Sequence, residues 1–180
     1  SKPNFNYSDN TLFTSIKSST TDRLKDFGYE TTELGFSLGT EFEQYENLFF
    51  SPEIDVSFED LETNSSASSS LSKQKGNYND VYFNYGLIYD KRNSFYKPTS
   101  GYRTSFRQDL PMISDSAEIT NTLNYTKYTI LNQNSNMVGK ANFLFQTVNS
   151  LKGSDVRISK RAQVPYSKLR GFERGGIGPV

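Results

Sequence analysis

The chain has 180 residues, only 34% of them hydrophobic, with a mean hydropathy of −0.67, yet 12 Tyr and 14 Phe are too many for a disordered segment. Lys+Arg and Asp+Glu balance at 20 each, so no net field draws in nucleic acid or acidic lipid, and no basic stripe with interleaved aromatics appears. Cys, His and Trp are absent, which removes Ser-His-Asp and Cys-His nucleophiles and soft-ligand zinc sites, and no apolar run approaches the roughly 18 residues of a membrane helix.

Alternation with period two recurs along the chain, broken by Asn, Ser, Gly and Pro clusters, and predicts about seven strands. The first is weak, over 12–17. In the second, Leu34, Phe36, Leu38 and Phe42 face one way and Glu33, Gly35, Ser37, Gly39 and Glu41 the other. The third sets Leu48, Phe50, Ile54, Val56 and Phe58 against Glu53, Asp55, Ser57 and Glu59. The fourth sets Val81, Phe83, Tyr85, Leu87 and Tyr89 against Asn84, Gly86 and Asp90. The fifth has Tyr102, Thr104, Phe106 and Leu110 opposite Arg103, Ser105, Arg107 and Asp109. The sixth, 119–130, is rich in Thr, Asn and Tyr and alternates only in part. The seventh has Met137, Ala141, Phe143 and Phe145 against Lys140, Asn142 and Gln146.

Many of these strands approach ten residues, close to the roughly nine to eleven that a tilted membrane strand needs. Charges of both signs on one face fit a wet lumen, with the apolar face on lipid. Tight turns are expected at 43–47 and 132–136. Long connections are expected at 59–79, where Ser65-Ser66-Ala67-Ser68-Ser69-Ser70 reads as flexible, and over 149–180. Short and long connections then roughly alternate, although 112–117 is short. Phe42, Tyr45, Phe49, Phe50, Tyr89, Phe95 and Tyr96 crowd strand ends, as girdle residues would, although aromatics favour strands in any case. Glu59, Asp60 and Glu62 read as a solvated acidic loop, since no calcium-loop spacing accompanies them. Glu53 and Asp55 read as a charged lumen wall rather than a glycosidase pair. The first residue is Ser1 and a Gly-Pro precedes Val180, so the chain is expected to be a piece of a longer protein.

Near the end stands Lys168-Leu169-Arg170-Gly171-Phe172-Glu173-Arg174-Gly175-Gly176-Ile177-Gly178-Pro179. Leu169, Arg170, Gly171 and Phe172, followed by Ile177, Gly178 and Pro179, resemble the sixth-loop signature of the BamA family of bacterial outer-membrane assembly factors. Upstream, the run from Asp80 to Gly86, then Pro98-Thr99-Ser100-Gly101-Tyr102-Arg103 and Leu110-Pro111, is similar to the family's middle strands. One departure is Arg161-Ala162-Gln163-Val164-Pro165-Tyr166-Ser167, where the family usually carries a Gly-Gly pair.

The resemblance implies an all-β, antiparallel up-and-down transmembrane barrel, with 1–148 as middle strands and 149–180 as the sixth extracellular loop, folded back into the lumen. It implies a non-enzymatic protein without a cofactor, in the bacterial outer membrane. Its partners would be outer-membrane lipid, unfolded β-barrel clients and assembly-complex lipoproteins, with no nucleic acid. Gly171, Gly175, Gly176 and Gly178 would let the loop reverse in a confined space, with Pro179 stiffening its exit. Arg170 would need a carboxylate, which the family places on strands after this loop. The alternatives are a related translocation or two-partner secretion barrel, and, in another class, a soluble β-sandwich binding module.

Overall fold

The computed structural model describes residues 10–132, 137–153 and 155–162. Among them are seven strands: β1 (Thr11–Arg23), β2 (Tyr29–Tyr45), β3 (Leu48–Thr63), β4 (Gly76–Asp90), β5 (Gly101–Ser114), β6 (Glu118–Asn132) and β7 (Met137–Ser150). Each pairs antiparallel with its chain neighbour, so the sheet order follows the sequence and the sheet curls into a half-barrel.

The alternation read from the sequence is kept across the whole sheet by the register. Leu34 pairs Phe58, Leu38 pairs Ile54, Ile54 pairs Phe83, Phe83 pairs Leu110, Phe106 pairs Leu123 and Leu123 pairs Phe145. These residues form the convex face. Leu34, Phe36, Ile54 and Phe58 are each about half exposed, while Ser37 and Ser57 opposite them are 3% and 2% exposed. A water-soluble sheet buries its apolar side; this one buries its polar side. A β-sandwich would need a second sheet against the convex face, and the described residues form one sheet only.

Polar groups on the convex face satisfy one another. The Tyr85 hydroxyl donates to Gln108 Oε1 (2.9 Å), Gln108 Nε2 donates to Asn121 Oδ1 (2.5 Å) and Asn121 Nδ2 donates to Thr147 Oγ1 (3.3 Å). This ladder crosses four strands, so little of its hydrogen-bonding capacity is left for an apolar medium to strand. Ring pairs Phe42–Phe50, Phe50–Tyr85 and Tyr85–Phe106 run across the same face.

The strands are longer than the alternation showed, 13 to 17 residues each. β1 continues through Ser18, Ser19, Thr20 and Thr21, which carry no apolar signal but pair with residues 31–34 of β2. The connection expected at 59–79 shrinks to 64–75, because β3 runs to Thr63 and β4 begins at Gly76. Its serine run is not a flexible tract. Ser68 caps a short helix, α1 (Ser69–Ser72), through Leu71 N–H, and Leu71 is buried with Leu61 and Ile158. Connection lengths do not alternate cleanly. The rim reached by the ends of β1, β3, β5 and β7 (the upper rim) has the three-residue turn 115–117 beside the 64–75 loop. The lower rim has the two-residue turn 46–47, with Asn47 at φ 64°, beside the ten-residue loop 91–100.

Candidate functional site

After β7 the chain turns over the upper rim and lies on the concave face, ending in a 3₁₀ turn, Ile158–Lys160. The contact is centred on Arg157, which is 1% exposed. Its guanidinium bonds Asp80 of β4 through Nη2, and lies 3.4 Å from Glu59 of β3 and 3.9 Å from Glu118 of β6. Its backbone N–H donates to Glu118 Oε1 (3.2 Å), and the guanidinium stacks 4.2 Å from the centroid of Tyr78. Planarity lets one side chain take a carboxylate at its edge and a ring at its face. Burial works against the Arg157 charge, but Glu59, Asp80 and Glu118 outweigh it and hold its pKa above the ordinary arginine value.

The three carboxylates are themselves almost fully buried, at 4%, 1% and 1% exposure for Glu59, Asp80 and Glu118. Neighbours hold them in place. Ser114 Oγ donates to Asp80 (2.6 Å), while Ser116 Oγ (2.8 Å) and the Tyr82 hydroxyl (3.2 Å) donate to Glu118 Oε2. Further contacts fasten the segment along its length. Lys152 donates to the carbonyls of Ser114 and Asp115, Ile158 N–H donates to Gln74 Oε1 (2.9 Å), and Lys160 lies 3.9 Å from Glu33 of β2. Ile158 packs on Leu61 and Leu71, the small apolar core of the described residues. Beside it lies a polar cavity of about 710 Å³, lined by Lys17, Thr20, Thr31, Glu33, Glu59 and Ser159.

The cluster holds more acid than base. Among the described residues, Glu59 Oε1 and Ser57 Oγ are buried without a hydrogen-bond partner, as are Arg157 Nε and Nη1. Replacing Glu59 with Gln removes like-charge repulsion from a carboxylate that contacts Arg157 only at 3.4 Å, so Glu59→Gln is expected to leave stability within about 1 kcal/mol of wild type. Asp80→Asn weakens the charge-assisted bond to Arg157 and is expected to cost about 1.5–3 kcal/mol. Urea unfolding of the full-length protein measures both, and equal costs would show that Glu59 and Asp80 are equivalent.

A second charged group lies deeper on the concave face. Arg107 bonds Glu53 (2.9 Å) and Asp109 (2.8 Å), and Asn84, with its amide turned to suit these neighbours, accepts from Arg107 (2.9 Å) and donates to Asp109 (3.1 Å). Glu53, Asp55 and Asp109 therefore share the wall that their alternation indicated. Glu59 does not belong to a solvated loop; it lies in β3 and is buried against Arg157. The sixth-loop residues Leu169, Arg170, Gly171, Phe172, Ile177, Gly178 and Pro179 lie outside the described residues. Arg157, absent from the expected site, is the guanidinium that Glu59, Asp80 and Glu118 hold among the described residues. Its only sequence sign was unspent acid at concave-face positions of three strands.

Among the described residues no group of acidic side chains could hold a metal ion, and no helix is long and apolar enough to cross a membrane. No curated protein sequence matches the chain. The crystal structure of BamA from Haemophilus ducreyi lacking POTRA domains 1–3 matches with a TM-score of 0.82 at 21% identity, over 99% of this chain and 37% of that one. The chain thus spans little more than a third of that protein, and the likeness is one of fold: a portion of a BamA-like barrel. The model of the Omp85 superfamily domain matches residues 1–180. That match covers the whole chain, and the chain belongs to the Omp85 superfamily.

Proposed function

We propose that this chain is part of a bacterial outer-membrane assembly factor that folds β-barrel proteins and inserts them into that membrane. The observation that carries the reading is the inverted sheet, with lipid-type residues outside and an ionic interior gripping the segment after β7. Its partners are outer-membrane lipid, unfolded barrel clients and assembly lipoproteins. No step of this work needs a covalent catalyst or cofactor; it is the addition of a client strand to an exposed sheet edge. In this reading the segment beginning at residue 151 is an internal brace. Arg157 fixes its base, and Leu169, Arg170, Gly171, Phe172, Ile177, Gly178 and Pro179 form its tip.

Reconstitution of the full-length protein in lipid vesicles tests the proposal. It is expected to accelerate insertion of an unfolded barrel client over protein-free vesicles, while residues 1–180 alone give no acceleration. Export of a soluble polypeptide without client insertion would favour a secretion barrel of the same superfamily and overturn the assembly role.

A further inference from the structure

The lower rim carries a feature that the interior does not explain. Loop 91–100 contains Lys91, Arg92 and Lys97 and no acidic residue. It also presents Phe95 and Tyr96, 72% and 90% exposed, as an edge-to-face pair with centroids 5.3 Å apart. The loop is built rather than slack. Asn93 Oδ1 accepts the N–H groups of Thr99 (3.0 Å) and Ser100 (3.1 Å), and Asn93 Nδ2 donates to Thr99 Oγ1 (2.7 Å). Gly101 closes it at φ +93°, where an added Cβ would lie 2.0 Å from the Lys91 carbonyl oxygen. Arg92 is tied to Asp90 (2.5 Å) and stacks 5.2 Å from the Phe95 centroid. The Asp90 carboxylate raises the pKa of Arg92 above its ordinary value.

Directly above the loop, on the convex face, Tyr89, Tyr102 and Tyr125 form a row with successive centroids 6.0 Å apart. Lys91 lies 5.5 Å over the first of these rings. Tyrosines in such a row mark the depth where hydrocarbon gives way to headgroups. The loop begins at that depth and extends outward. Asp90 is shared by Arg92 and Arg103, and no carboxylate of the described residues lies within salt-bridge distance of Lys91 or Lys97. Glu46, on the adjacent turn, is an acid that acts on Lys91 from a distance. Two uncovered rings flanked by unspent ammonium groups, at the level of the tyrosine row, match the headgroup layer of a phospholipid leaflet in polarity and in charge.

We propose that loop 91–100 is an anchor for anionic phospholipid headgroups, in which Phe95 and Tyr96 enter the interface and Lys91 and Lys97 bind the phosphates. The proposal rests on the barrel spanning a membrane, and its test separates the two. The chain has no Cys. In the full-length protein with any other Cys removed, a fluorophore at Tyr96→Cys reports the loop and one at Leu38→Cys reports the convex face of β2. Vesicles of phosphatidylcholine and phosphatidylglycerol carry a nitroxide quencher on one headgroup or the other, or on the acyl chains.

The Leu38 label is expected to be quenched from the acyl chains. The Tyr96 label is expected to be quenched from headgroups, and more by labelled phosphatidylglycerol than by labelled phosphatidylcholine. Lys91→Gln and Lys97→Gln are each expected to reduce that preference about fivefold, whereas Lys→Arg at either position keeps it. Quenching at Leu38 with none at Tyr96 overturns the anchor and leaves the barrel standing, as a loop docked on a periplasmic protein would do. Equal quenching by the two headgroups, unchanged by the Gln variants, overturns the anionic preference. No quenching at either site overturns the membrane reading, and the anchor with it.

Discussion

Arg157→Met is expected to lower the unfolding free energy of the full-length protein by about 3–5 kcal/mol, the cost of leaving a buried ionic group without its counter-charge. Glu59, Asp80 and Glu118 would keep their burial and lose the one cation that contacts them among the described residues, while methionine still fills the stem of the side chain. Arg157→Lys should fall between the two, because an ammonium keeps the charge but gives up the planar fork and the face-on contact with Tyr78. Urea titration in lipid vesicles, read by the gel mobility of unheated samples, gives these differences. Hydrogen exchange over 151–162 should rise in step, since that segment is what the cluster holds. A loss under about 1 kcal/mol for Arg157→Met, smaller than a typical hydrogen bond to a charged group, would remove the cluster as the fastening.

Combining Arg157→Met with Asp80→Asn and Glu118→Gln neutralises two of the stranded acids, and part of the lost stability should return. The pH dependence has a definite sign. The folded pKa of Arg157 is raised, so its contribution is complete below the ordinary arginine value and is lost only as pH rises through the folded value. Titration of Arg157 itself therefore adds no pH dependence over the working range of the protein.

Half of this architecture was legible in the sequence, and the boundary has a physical origin. Period-two alternation assigns faces wherever an apolar residue recurs, and so the convex face of β2 through β5 was readable from Leu34, Phe58, Phe83 and Phe106. Strand ends beyond the apolar band carry no such signal. Residues 18–23 of β1 are polar, as are 59–63 of β3 apart from Leu61, and their extended conformation comes from pairing with a neighbour. The serine run of 65–70 has a flexible composition, but one apolar residue after it, Leu71, reaches the core and orders the loop.

Arg157 was hidden for another reason. Its partner Asp80 is 77 residues away, and a local pattern says nothing of which wall residues share a height. Register supplies that knowledge: Ser57 pairs Asp80 and Asp80 pairs Ser114, which brings Glu59, Asp80 and the start of β6 under one guanidinium. Balanced overall charge had a similar effect on loop 91–100. Equal totals of 20 and 20 conceal three cations and no acid within the ten residues 91–100.

Phe145 and Gln146 are adjacent on β7 and point to opposite faces, so a pair of substitutions there tests the orientation of the whole sheet. Phe145 is on the convex side, pairing Leu123, one step from the Tyr125–Phe143 pair and one from the Asn121–Thr147 hydrogen bond. An arginine at that depth must hold its charge in hydrocarbon, so Phe145→Arg is expected to cost about 2–4 kcal/mol and to slow assembly into vesicles. Gln146 is exposed on the concave side, opposite Thr122, on the wall that carries the ionic groups of Arg107 and Glu53. Gln146→Arg is expected to change stability by no more than about 0.5 kcal/mol. In a sheet folded in water the order would reverse or vanish, because the half-exposed Phe145 would already be solvated and arginine there would only add solubility. Urea titration of both variants in the same vesicles decides it: comparable costs, or the larger cost at Gln146, would mean that the convex face is not the one that meets lipid.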